Sequence, residues 1–345
     1  MASSYPGSST KLTLRDGTTY AYVCIPPSIP RKPTFLLLHG FPSSSYEWRH
    51  QIPLLSFLGY GVIAPDLLGY GNSDAPGELE AYEFKRMANH LAEILAYEKL
   101  EKVIGVVGMY AEIETRGSGL LSRFNTWHSD KLLAAVWVAT GYAEPGTEPM
   151  DIDAINAFTA DRFGHPAMGY WKFFDKPEAG RILDEKPERI TSILYPPSPE
   201  LWKENLGPVG ALEKWLNSDN ILPPLPGWLS DEEFKKHNKI MKIKGYHGPC
   251  NWYKSAIANI DAVHHMDLPE ERKYVTVPAL LVVPTDDTFF PSEILMMGSQ
   301  WYRNLRVEEI SAAHWAQLEA PNKLNELLTS FTKGLESPCV SDCEI

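Results

Sequence analysis

Residues 33–42 read PTFLLLHGFP, and the fold of the chain turns on this run. Phe35 to Leu38 is apolar without alternation, and a glycine soon closes it. That is the pattern of a strand buried on both faces, which belongs in a parallel sheet covered by helices. Similar runs recur at YGVIAPD (60–66), KVIGVVG (102–108), LLAAVWVA (132–139) and PALLVVPTDD (278–287). KLTLR (11–15) and TTYAYVCI (18–25) predict an entry pair of strands around the turn at Asp16-Gly17, and RVEEIS (306–311) predicts a last strand.

Between the strands the period changes to that of a helix. Leu79 to Leu100 carries apolar residues at helical spacing, with acidic residues early. Further helices are predicted from about Gly119 to His128, near 291–303 and, amphipathic, near 321–334. Alternating strands and helices define an α/β protein with an eight-stranded, mostly parallel sheet. The alternation breaks down between about Tyr142 and His265, where proline, tryptophan and short helical patches dominate, as in PPSPELW and ILPPLPGW. This is a composition shift without a linker, read as an insertion. The predicted organisation is a core of residues 1–141 and 266–334, an inserted helical cap of residues 142–265 and a flexible tail of residues 335–345.

Composition narrows the function. The 345 residues are 44% hydrophobic and 22% charged, enough for a substantial core. A net charge of −12 with scattered Lys and Arg speaks against nucleic acid or an anionic membrane as partner, and leaves a small neutral or apolar ligand. No apolar run approaches the length of a membrane span. Cys24, Cys250, Cys339 and Cys343 are too scattered for a disulfide framework or a zinc site and read as free thiols. With no apolar leader pattern in MASSYPGSSTKLTLRDG, the expectation is a cytoplasmic protein. No oligomeric state follows from the sequence.

Four motifs carry the chemistry: LLLHG running into Gly40-Phe41-Pro42, DLLGYGNSDAP (66–76), the acidic pair after the late strand at Asp286-Asp287, and AAHWAQLEAP (312–321). As an ordered set over roughly residues 10–334 they resemble the α/β-hydrolase superfamily, and within it the epoxide-hydrolase branch, particularly its fungal members. The resemblance implies a α/β-hydrolase fold with a cap and no metal or organic cofactor. It implies that His314 is the base that activates water and that Asp287, 27 residues upstream, orients it. Asp286 is the adjacent alternative, less well in register. The amide of Phe41, at a glycine turn on the sheet's carboxyl edge, is the implied oxyanion donor. Tyr170 in GYWKFFDKPE and Tyr253 in GPCNWYKSA resemble the lid tyrosines whose hydroxyls protonate an opening epoxide, a pair an esterase does not need.

The nucleophile is the departure. The family continues its central strand into Gly-His-Asp-Trp-Gly, an aspartate on a strained elbow with small residues on either side. Here VIGV (103–106) and GSGLLSRF (117–124) match the flanks, but ten residues, 107–116, stand where the family has four. Tyr110, Glu112, Glu114, Thr115 and Ser118 each lack a small residue at one or both flanking positions, and no aspartate occurs from Ala75 to Ser129. The nucleophile is therefore unknown. Three explanations stand: an inactive relative, a misassembled coding sequence, or an active protein using another carboxylate. The reading is an epoxide-hydrolase-like protein for a small apolar epoxide, with specialised metabolism as the expected setting. Its rivals are a noncatalytic binding protein and an esterase or lactonase. The six extra residues are expected to bulge at the pocket mouth or to lengthen the next helix.

Overall fold

A computed structural model of the chain describes residues 2–5, 7–108 and 118–335. Among them eight strands form one sheet: β1 (Ser9–Thr13), β2 (Thr19–Ile25), β3 (Thr34–Leu38), β4 (Gly61–Pro65), β5 (Val103–Gly108), β6 (Leu132–Val138), β7 (Ala279–Pro284) and β8 (Leu305–Ile310). Their order is β1-β2-β4-β3-β5-β6-β7-β8. β2 is antiparallel to both neighbours, and all other pairings are parallel. The predicted mostly parallel eight-stranded sheet is present, and its strands fall close to their predicted bounds.

The unbroken apolar runs have the cause the sequence suggested. β3, β4, β5 and β7 are buried along their whole length because both sheet faces are covered. Leu36 and Leu38 face one core with Phe84, Met87, Leu91, Leu121 and Phe124 of the helices Phe84–Tyr97 and Gly119–His128. Phe35 and Leu37 face the other with Ile52, Leu55, Leu324, Leu328 and Phe331 of the helices Gln51–Phe57 and Pro321–Leu335. Each such buried side chain contributes about 1.5–3 kcal/mol of transfer free energy. The edge strand β8 instead carries exposed Arg306 and half-buried Glu308, which pair with each other and blunt the edge.

Two predicted helices are broken. The run 79–100 divides into a 3₁₀ turn, Leu79–Tyr82, and the helix Phe84–Tyr97, because Glu83 is extended at φ −56, ψ 126. Asp261 caps the new start, accepting from the amides of Phe84 (3.1 Å) and Lys85 (3.3 Å). The run 291–303 divides into the helix Ser292–Met296 and a 3₁₀ turn, Ser299–Trp301. Gly298 lies between them, so close to the Tyr142 carbonyl that a Cβ would approach it to 2.8 Å.

Residues between β6 and β7 form a series of short helices, from Ile152–Phe163 to Ala262–His265. Some of their contacts with the sheet layer go to segments past strand ends, and others, such as those of Asp261 and Glu233, to helix and turn ends. Trp252 Nε1 donates to the Leu68 carbonyl (2.8 Å), and Trp315 Nε1 to that of Leu194 (2.8 Å). Gly69, at φ +91, brings its backbone against Gly248. Gly71, at φ +53, leaves room for the Asp66 carboxylate, which accepts from Ser45 and from the amides of Asn72 and Ala2. The glycines of DLLGYGNSDAP are thus required by a turn and by two close approaches. Cys24 and Cys250 are free thiols, while Cys339, Cys343 and all of 336–345 lie outside the described residues. The last helix extends to Leu335.

Candidate active site

Parallel strands deliver their carboxyl ends to one edge, and three of the residues singled out in the sequence follow such ends. Phe41 follows β3, Asp287 follows β7 and His314 follows β8. His314 Nδ1 donates to Asp287 Oδ2 at 2.8 Å, and the two side chains are 6% and 2% exposed. Asp287 Oδ1 accepts from the amides of Phe289 and Phe290, both at 3.0 Å. The carboxylate is held from behind and fixes the imidazole with its proton on Nδ1, leaving Nε2 to accept a proton. Asp286 points elsewhere, accepting from Thr285 Oγ1 and Ser311 Oγ at the surface. Of the adjacent pair, Asp287 is the one that meets His314.

The His314 loop is stiffened on both sides. The amides of Ala313 and Trp315 donate to the two oxygens of Glu319, at 2.9 and 2.7 Å. Burial raises the Glu319 carboxyl above its usual range. The Trp202 ring stands edge-to-face on the imidazole with centroids 4.7 Å apart, and Phe290 lies 5.3 Å away.

The oxyanion candidate sits in a turn stitched to its neighbour. His39 is fully buried; its Nε2 accepts from the Leu67 amide (2.9 Å) and its Nδ1 donates to the Gly40 carbonyl (2.9 Å). Desolvation pulls its pKa down to about 4, so it is neutral at neutral pH. The Gly40 amide donates to Glu47 Oε2, whereas the Phe41 amide has no acceptor among the described residues. An amide left in that state can receive an oxyanion.

Tyr170, on the helix Gly169–Phe174, and Tyr253, on the helix His247–Ile257, come together with ring centroids 6.2 Å apart. The Phe41 ring lies 5.2 Å from that of Tyr253, and Phe174 and Trp171 close round it at 4.6 and 4.9 Å. Both tyrosines are buried, and the described ring contacts around them are aromatic.

The elbow is only framed. β5 ends at Gly108 and the next helix begins at Gly119, while Tyr110, Glu112, Glu114 and Thr115 lie outside the described residues, as does the expected bulge. Ser118 is buried and spends its hydroxyl on the Gly141 carbonyl. Among the described residues no cluster of His, Cys, Asp and Glu could hold a metal ion, and no helix is long and apolar enough to cross a membrane.

The sheet order, the loop positions and the helices inserted between β6 and β7 define the α/β-hydrolase fold, and the family model for the alpha/beta hydrolase fold matches residues 33–109. Within that class the chain is epoxide-hydrolase-like. It is 29% identical over 319 residues to epoxide hydrolase A of Mycobacterium tuberculosis, covering 89% of this chain and 92% of that protein. It is 28% identical over 325 residues to epoxide hydrolase srdG of Neurospora crassa, covering 91% of each. Against rat bifunctional epoxide hydrolase 2 the identity is 23%, and the match spans 94% of this chain but 57% of the relative. The crystal structure of epoxide hydrolase A from Mycobacterium thermoresistibile superposes with a TM-score of 0.70 at 25% identity, covering 94% of this chain and 98% of that one.

Sequence reasoning passed over Glu47, Trp202 and Glu319. Glu319 stood in a motif already quoted, five residues past His314, where an acid within reach of the loop amides was a usable signal. Glu47 and Trp202 had none, since their roles arise only from contacts distant in sequence.

Proposed function

We propose that the chain binds a small apolar epoxide between the paired tyrosines and His314, under a cap formed by residues 142–265. It carries the hydrolytic half of an epoxide hydrolase site but lacks the aspartate that would open the ring. In the complete reaction a carboxylate attacks an epoxide carbon while Tyr170 and Tyr253 protonate the oxygen. Water activated by His314, itself oriented by Asp287, then cleaves the ester, and the Phe41 amide stabilises the oxyanion. The observation that carries this reading is the buried His314–Asp287 pair at 2.8 Å, on the sheet edge that also bears Phe41. The tyrosine rings 6.2 Å apart support an epoxide over an ester as substrate, since ester hydrolysis needs no such acid pair. An esterase is further disfavoured because Ser118 is engaged with a backbone carbonyl. The free thiols Cys24 and Cys250 support a reducing compartment such as the cytoplasm.

The test compares turnover of a panel of small apolar epoxides by three proteins: the chain as written, its His314→Ala variant, and a form with Gly-His-Asp-Trp in place of residues 107–116. The first two should be equally silent and the third active. Turnover by the unaltered chain, abolished by Glu112→Gln or Glu114→Gln, would replace this reading with that of an enzyme using a rebuilt nucleophile. Silence of all three would favour a noncatalytic binding protein.

A further inference from the structure

Glu47 belongs to the short 3₁₀ turn Ser45–Trp48 and is 1% exposed, yet its only charged neighbour on that turn, Arg49, is committed to Glu233 at 2.6 Å. A carboxyl group so deeply buried is retained only where it makes bonds that an apolar side chain cannot. Besides a bond with Ser43, Glu47 makes two that reach different loops. Its Oε2 accepts from the Gly40 amide at 3.2 Å, and its Oε1 accepts from Gln317 Nε2 at 2.7 Å. Gly40 is the residue before the candidate oxyanion donor, and Gln317 is three residues past the candidate base. A third segment meets the same group, because a Cβ at Gly108, the last residue of β5, would lie 3.0 Å from Glu47 Oε1 and 3.1 Å from the Trp48 ring.

We propose that Glu47 is a positioning residue which holds the Gly40–Phe41 turn and the His314–Gln317 turn at a fixed separation beneath the end of β5. The inference rests on the roles proposed above for Phe41 and His314. Other ties run beside it, from Gln51 Nε2 to the Gln317 carbonyl and through Tyr195, which donates to the Pro42 carbonyl and stacks on Trp315, but the Glu47 carboxyl is the group that bonds the Gly40 amide and the Gln317 side chain together. Burial pushes that carboxyl up to about 8, so the neutral acid prevails at neutral pH. The bridge tolerates this. Gln317 Oε1 is buried without a partner, and rotation of the Gln317 amide by half a turn would let it accept from a Glu47 hydroxyl while the other oxygen keeps Gly40. A glutamine at position 47 can bridge in the same manner, whereas alanine cannot.

Amide hydrogen exchange followed by mass spectrometry tests this without requiring turnover, so its outcome is separate from that of the epoxide assay. Glu47→Ala should raise exchange roughly tenfold in the peptides spanning 39–42 and 313–320 together, and Glu47→Gln should restore both to within about twofold of the parent. Gln317→Leu leaves Glu47 in place and removes only its far partner; it should loosen 39–42 from across the gap. If Glu47→Ala does not fold, that variant decides the matter alone. Unchanged exchange at 39–42 in Gln317→Leu, loosening confined to 43–52 in Glu47→Ala, or failure of Glu47→Gln to restore protection would each overturn the proposal.

Discussion

Asp287 offers the clearest separation of structure from chemistry. Its carboxylate takes three hydrogen bonds in a site nearly closed to water, from His314 Nδ1 and from the amides of Phe289 and Phe290. Asp287→Ala leaves three buried donors without acceptors. At about 1–3 kcal/mol for each orphaned group, and with some relaxation, the loss should be about 3–5 kcal/mol of folding stability. Asp287→Asn is different: its carbonyl can keep the two backbone amides, while its NH₂ faces the imidazole and forces the proton from Nδ1 to Nε2. That exchange should cost only about 1 kcal/mol, yet it removes the lone pair on Nε2 that a base requires. Urea denaturation of the two variants measures the first effect, and nitrogen-15 spectra of the His314 ring report the tautomer. An alanine variant within about 1 kcal/mol of the parent, or an asparagine variant with its proton still on Nδ1, would refute the account of this site.

Glu47 also predicts a pH dependence. Its carboxyl titrates at about 8 when folded against 4.5 for a free glutamate. Its contribution is therefore fully present below about pH 4.5, falls as pH rises because the unfolded chain releases the proton first, and levels off above about 8. Glu47→Gln should flatten that slope in denaturation curves measured between about pH 5 and 9, gaining up to a few kcal/mol over the parent at the alkaline end. Gly69→Ala should cost about 2 kcal/mol or more, by thermal or urea unfolding, since φ is +91 and the new Cβ would sit 2.9 Å from the Gly248 carbonyl carbon. Glu233→Gln leaves the Arg49 guanidinium, 11% exposed, without its counter-ion and should cost about 2–3 kcal/mol. It should also raise hydrogen exchange in the helix Asp231–Met241, whose capping box it weakens.

The legibility of each part followed from the range of the forces behind it. A strand buried on both faces must be apolar at every position, so PTFLLLHG could be read in isolation. His314 and Asp287 were readable because each follows a strand end and sits in a motif of known order. The break at Glu83 was not, because the apolar stripe continues through it and the acceptor that secures the new helix start is Asp261. Nor was the bond between Gln317 and Glu47, which joins residues 270 apart. The helices between β6 and β7 were visible only as a change in composition. Most are six to twelve residues long, too short to hold themselves by periodicity, and they depend on tertiary packing.

Asp261 has a consequence for how the chain is made. It lies near the end of the inserted segment and caps a helix that begins 177 residues earlier, before that segment starts. A ribosome adding about 5–20 residues per second produces Phe84 roughly 10–35 seconds before Asp261 exists. Late in that interval the first five strands in sequence can be out in solution with the Phe84–Tyr97 helix open at its start, and β6 still lacks β7 beside it. The nascent amino-terminal half is thus a distinct species, with a raw sheet edge and an uncapped helix, until the last quarter of the chain emerges.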